Sequence, residues 1–202
     1  MDKAVIQGGQ ALLPQTQEDP VTVHASQLQG RQGYVGPVPP AREEWHDPIN
    51  RVDLFTSVIH LIIEAAGDQT AIVNRLDVRL ESCDAPPRIS YTVPYTLRSA
   101  APLDPREHRQ FLVRLTAEPA GNTTVPTSSA RPAHDVPDFP YTVTPDSPDH
   151  FYLHVTADEP GDYRWRIDVH WICKGQSGTT VADQAGHPFR LVHPERRENP
   201  DS

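Results

Sequence analysis

Three polar side chains near the C-terminal end of the chain, His150, Asp168 and His170, have types and spacing that could hold a metal or move a proton. Residues 150–157 and 162–173 both alternate apolar and polar side chains. If the two stretches pair as a simple hairpin, Ala157 faces Tyr163. His150 then stacks with His170, and Tyr152 with Asp168, on the outer face. Two imidazoles and a carboxylate are a donor set for zinc or a similar ion, provided that they converge. The competing arrangement is a corner that sends the two stretches into different sheets, where they never pair. A solvated strand face uses the same residue types and is the commoner outcome. His60, within VIHLII, has no partner legible along the chain, and buried or half-buried histidines are normally satisfied by hydrogen bonds. His134-Asp135 and Asp104, Glu107 and His108 fall in loop-like stretches, which are rich in such residues anyway. The Ser/Thr stretches 122–124 and 127–129 carry neither a nucleophile-elbow nor a P-loop pattern. Asn122 heads an N-x-T acceptor, of consequence only in a secreted chain. Residues 175–178, GQSG, are too short to cradle a phosphate and read as a hairpin loop. No catalytic, cofactor-binding or metal residue is assigned; His150, His170 and Asp168 stand only as candidates.

The element that would position them is the strand over residues 162–173. Tyr163, Trp165, Ile167, Val169, Trp171 and Cys173 fall on one side; Asp162, Arg164, Arg166, Asp168 and His170 fall on the other. A period of two marks a strand with one buried face. Tyr163, Trp165, Ile167, Val169 and Trp171 are therefore the expected structural core. Arg164 and Arg166, with Arg75 and Arg79, could make a basic patch. Asp77, Glu81 and Asp168 interleave with them, so cross-strand ion pairs are expected instead.

The rest of the chain reads as short strands separated by turns. Residues 1–48 are rich in Gln, Gly and Pro and form an irregular or partly disordered segment, with one short strand at VTVHA and an anchor at Tyr34 or Trp45. Residues 49–194 form the β-domain and 195–202 a frayed tail. Over 51–67, β-branched residues favour a strand, with Phe55, Ser57, Ile59, Leu61 and Ile63 on one face, over a helix. Gly67-Asp68 turns the chain, and 70–82 alternates Leu76, Val78 and Leu80 against charged residues; the two look like an antiparallel pair. Pro94 demotes 88–97 to an edge or bulged strand. Residues 109–118, 141–145, 151–157, 178–183 and 187–192 supply further strands, and 119–140 is a long loop. The total is seven to nine strands.

With 22 prolines and 11 glycines much of the chain must be loops and strand ends. A net charge of −9 without a basic run argues against nucleic acid, whose binding draws on phosphate neutralisation. No apolar run reaches the roughly 20 residues that span a bilayer, and the first residues lack the apolar core of a secretory signal. Met1 is the single methionine. A complete reading frame and a cytoplasmic location are the expectation, and free thiols are then expected at Cys83 and Cys173. Sixteen arginines against Lys3 and Lys174 suit a high-GC bacterial genome.

The corner DEPGDYRW resembles the late-strand region of immunoglobulin-like folds, where a tyrosine hydrogen-bonds back to the corner. Tyr163 would be that tyrosine; the antibody disulfide does not map, because Cys83 sits at the end of its strand. The segment from FPYTV through HPFRLV also resembles an uncharacterised accessory β-domain of proteins from high-GC bacteria, over roughly the C-terminal 150 residues. The resemblance implies an immunoglobulin-like antiparallel β-sandwich with an accessory role and no activity. The expectation is a non-catalytic binding or protein-interaction module, without cofactor and with a protein partner. The alternatives are a carbohydrate or small-molecule binder using Tyr91, Tyr95 or Trp45, and a His-dependent metal enzyme.

Overall fold

The computed structural model describes residues 19–28, 32–35, 51–93, 109–116, 123–124 and 139–195. Among these residues there are thirteen strands and no helix. They are β1 (Val21–Leu28), β2 (Gln32–Val35), β3 (Arg51–Leu54), β4 (Thr56–Ala65), β5 (Ala71–Asp84), β6 (Ile89–Val93) and β7 (Arg109–Leu115). Then follow β8 (Thr123–Thr124), β9 (Tyr141–Val143), β10 (Asp149–Ala157), β11 (Gly161–Cys173), β12 (Gln176–Ala182) and β13 (Phe189–His193). A four-stranded sheet runs β1-β4-β10-β7. A nine-stranded sheet runs β6-β2-β3-β13-β11-β5-β8, with β12 also on β11 and β9 also on β5. The two sheets pack face to face as a β-sandwich.

Both sheets are mixed rather than antiparallel. β10 pairs with β7 in parallel, and β13 pairs with β3 in parallel. Parallel neighbours need long crossovers, and alternation along a strand says nothing about the direction of its neighbour.

The core is one cluster filled from both sheets. Ile59, Leu61, Ile63, Phe111, Val113, Phe151, Leu153 and Val155 enter from the four-stranded sheet. Leu76, Val78, Tyr163, Trp165, Ile167, Val169, Phe189 and Leu191 enter from the nine-stranded one. Trp165 leans on Phe189 with ring centroids 4.8 Å apart. Phe139, which precedes a cis proline at 140, stacks with Phe111 and Phe151. A smaller cluster of Val52, Leu54 and Val192 sits beside β2 and β6.

Three of the points at which the chain changes sheet decide how the strands read from the sequence are paired. The first is Phe55, which takes a φ of 68° between β3 and β4 and donates its amide to the Val192 carbonyl at 3.0 Å. A positive φ at a bulky residue is uncommon; here it turns what reads as one strand over 51–67 into two, in different sheets. Ser57, Ile59, Leu61 and Ile63 are buried, whereas Phe55 itself is exposed. The second is the turn at Gly67, φ 58°. Beyond it β5 joins the opposite sheet, so β4 and β5 line the core from different sheets and are not the antiparallel pair expected. The third is the Asp158-Glu159-Pro160 corner between β10 and β11.

Two stretches read as largely irregular contribute strands, the first with the strand expected at VTVHA and the anchor expected at Tyr34. Part of the segment 1–48 belongs to the sandwich: β1 forms the edge of the four-stranded sheet opposite β4, and β2 lies between β3 and β6. Val21 and Tyr34 are buried there. Trp45 and residues 196–202 lie outside the described residues. Within the stretch 119–140, read from the sequence as a long loop, Thr123–Thr124 form β8, which pairs with Asp77 and Val78 of β5.

The cysteines are free thiols. Cys83 lies opposite Tyr163 and Cys173 opposite Ala71, at the two ends of β11. Ten residues of strand, about 33 Å at ~3.3 Å per residue, separate positions that a disulfide needs within roughly 7 Å. By strict alternation Cys83 falls out of phase with Leu76, Val78 and Leu80. The register shift between Arg164 and Trp165, where Glu81 is extra in β5, returns it to the core side against Tyr163.

Candidate functional site

β11 carries the site because it is the central strand of the larger sheet. β5 flanks it on one side; β13 and β12 share the other. Its inner residues are packed: Tyr163, Trp165, Ile167 and Val169 are fully buried and Trp171 nearly so. At the corner, the Tyr163 hydroxyl donates to the Glu159 carbonyl at 2.9 Å. Burial, with the neighbouring Cys83 thiol, pushes the Tyr163 phenol up to about 12. The Cys83 thiol is raised as well, chiefly by burial. Gly161 makes this packing possible, since a Cβ there would stand 2.8 Å from the Tyr163 ring and 3.0 Å from the Cys83 sulfur.

The outer face presents Arg164, Arg166, Asp168, His170 and Ile172. Lys174 (φ 49°) and Gly175 (φ 76°) form a two-residue turn of the hairpin type with both φ positive. The hairpin loop is thus two residues at 174–175, and residues 176–178 already belong to β12. That register sets His170 opposite Thr179 on one side and Arg75 on the other.

His170 is held at both ring nitrogens. Nε2 lies 2.9 Å from Asp77 Oδ2, and Nδ1 lies 3.0 Å from Thr179 Oγ1. A carboxylate only accepts, so these partners assign the ring proton to Nε2, which donates to Asp77, while Nδ1 accepts from the Thr179 hydroxyl. Arg75 Nη2 is 2.9 Å from the same carboxylate oxygen and 3.2 Å from His170 Nε2. Asp77 is only 3% exposed, and its Oδ1 has no hydrogen-bond partner among the described residues. Thr179 is exposed.

Asp77 and Asp168 stand directly opposite each other on β5 and β11. Like charges in that position repel. The lattice around them resolves the repulsion. Arg79 grips Asp168 with Nε at 3.1 Å and Nη2 at 3.2 Å, and that hydrogen bonding raises the Arg79 pKa. Arg166 pairs with Glu81 at 2.8 Å and Asp183 at 2.9 Å. Arg190 clasps Asp162 through Nε at 2.8 Å and Nη2 at 2.6 Å, both side chains largely buried. Cross-strand ion pairs, and not a basic patch, occupy this face. At one end of it Ile72 and Ile172 are direct cross-strand partners, 38% and 37% exposed; Val181, opposite Asp168 nearer the middle, is 45% exposed.

The three candidate residues do not meet. His150 lies on the four-stranded sheet. There its Nδ1 is 3.0 Å from His60 Nε2, and the His60 ring stacks on Tyr152 at 4.4 Å between centroids. Tyr152 points away from the core yet is buried, and burial raises its phenol pKa. Asp168 answers to Arg79, and His170 to Asp77 and Thr179. β10 and β11 never pair, so the His150/His170 hairpin stack does not form. Among the described residues no group of three or more His, Cys, Asp and Glu side chains is gathered as a metal site requires.

Sequence reasoning missed Thr179 and the role of Asp77. The signal was the Lys174-Gly175 turn, which fixes the register and pairs His170 with Thr179. It also missed Gln27, half-buried, whose amide donates to buried Asp53 at 2.7 Å and to buried Ser57 at 3.1 Å, a polar bridge between the sheets. Tyr95, His108, His134 and Asp135 lie outside the described residues, as does the Tyr91 side chain. A cleft of about 340 Å³ is lined by Ala85, Pro86, Pro87, Arg88, Ile89, Pro194 and Glu195, with no aromatic wall. Among the described residues no helix is long and apolar enough to cross a membrane.

No family model matches the chain, and no curated protein matches it at a significant level.

Proposed function

We propose that this chain is a non-catalytic protein-interaction module on an immunoglobulin-like sandwich, docking its partner through the outer face of the nine-stranded sheet. The observation that carries the reading is the exposed Ile72–Ile172 pair, with exposed Val181 further along the same face, beside charges that are matched among themselves. Apolar anchors within a polar surround are what partner recognition needs, and charges already paired cost less to bring against a partner than free ones. The immunoglobulin-like assignment draws support from the sheet-to-sheet corner and its tyrosine hydrogen bond.

The test is site-specific photo-cross-linking in the cells that make the protein. A benzophenone side chain at Val181 is expected to capture one protein, and Ile72→Arg with Ile172→Arg to abolish capture while the circular dichroism spectrum is unchanged. A benzophenone at Leu112, exposed on the other sheet, should capture nothing. Capture that survives the arginine pair, or none from Val181, overturns the proposal.

A further inference from the structure

We propose that Thr179 is a reactive hydroxyl, acylated by activated esters with His170 as its general base. This inference does not depend on the docking face. A nucleophile within hydrogen-bond reach of a base, itself oriented by a third group, is the arrangement that activates serine and threonine hydroxyls. Thr179 Oγ1, His170 Nδ1 and Nε2, and Asp77 Oδ2 form such a line, at 3.0 Å and 2.9 Å. Every other ionisable side chain of this face that the lattice uses meets a group of opposite charge; His170 alone joins an acid to an alcohol.

Four features suit the role. The ring already accepts from the hydroxyl that must lose its proton. Asp77 is almost wholly buried and keeps one oxygen unspent, so it stands ready to stabilise the charge that proton transfer places on the imidazole. Arg75, half-exposed, holds the same carboxylate oxygen beside the ring, its Nη2 2.9 Å from Asp77 Oδ2. The hydroxyl is exposed, on strand β12, where a reagent can reach it.

In the step, Thr179 Oγ1 forms a bond to the acyl carbon and its proton passes to His170 Nδ1. The bond from that carbon to the leaving oxygen breaks, the oxygen keeps the electron pair, and the proton follows it. The product is a threonine ester and a free alcohol or phenol. The face is open to solvent, so the inference is one stoichiometric transfer and not turnover.

The probe is p-nitrophenyl acetate on the full chain, with the site and rate of acetylation read by peptide mass spectrometry. Background is low, because Lys3 and Lys174 are the only lysines. The expected result is an acetyl ester on Thr179 that is lost in Thr179→Ala and kept in Thr179→Ser. The rate should fall roughly a hundredfold in His170→Gln, the contribution of a positioned general base. Circular dichroism confirms that each variant is folded, and Thr179→Ala, at an exposed site, keeps the comparison available if His170→Gln is not. No acetyl on Thr179, label confined to the lysines or the amino terminus, or an unchanged rate in folded His170→Gln overturns the proposal.

Discussion

Tyr163 concentrates the local energetics of the corner. Its hydroxyl binds the Glu159 carbonyl, its ring fills the space that Gly161 leaves, and Cys83 lies against it. Its pKa of about 12 stands above the ordinary value of 10.0 because burial disfavours the phenolate. A folded-state pKa above the unfolded one means that stability is complete below pH 10 and is lost as pH rises from 10 towards 12. Two units correspond to about 3 kcal/mol. Urea titrations at stepped alkaline pH should show that loss in the wild type and little of it in Tyr163→Phe, which at neutral pH should be about 1 kcal/mol less stable for want of one hydrogen bond. The raised Cys83 thiol should alkylate with iodoacetamide at neutral pH more slowly than free cysteine, because the thiolate is the nucleophile. Mass spectrometry of Cys83 peptides over time measures it.

At the scale of elements, β11 is secured by one tight contact and one buried ion pair. The Trp171 indole lies over Gly178 of β12 and donates to Thr180 at 3.0 Å. A Cβ at 178 would stand 2.3 Å from the indole, and an indole inside a packed core cannot swing aside. Gly178→Ala should cost about 1–3 kcal/mol, as overpacking does, read as a fall in the urea midpoint. Arg190 and Asp162 join β13 to β11. Arg190→Ala leaves a largely buried carboxylate uncompensated and should cost about 3–5 kcal/mol; Arg190→Met with Asp162→Leu should recover much of it. The exposed pair Arg114–Asp158, 3.3 Å apart, should contribute little by comparison.

For the whole molecule, the single core shared by both sheets ties β1 to the rest. β1 caps the edge of β4 along its length, and Val21 joins the core. Deleting residues 1–28 should therefore lower the thermal midpoint sharply or abolish cooperative unfolding, followed by calorimetry. An unchanged midpoint would return residues 1–48 to the role of a peripheral segment. The same architecture separates the His60–His150 contact from the His170 cluster, since they lie on the outer faces of opposite sheets.

Period-two alternation made the strands legible, with their buried faces: Tyr163 to Cys173, Leu76 and Val78, Phe151 to Val155. It did so because burial on a strand is decided by the residue itself. Interleaved acids and bases on 75–81 and 164–168 likewise announced ion pairs. The sheet that each strand joins was settled only in three dimensions. The turns at Phe55, Gly67 and Pro160 are compatible with a hairpin or an arch, and which one forms depends on how the facing apolar surfaces are best covered. That choice dissolved the expected pairing of β4 with β5, and it sided with the corner over the hairpin that would have stacked His150 on His170. It also made the Asp77–His170–Thr179 line, whose members come from three strands and meet only when β5, β11 and β12 lie side by side.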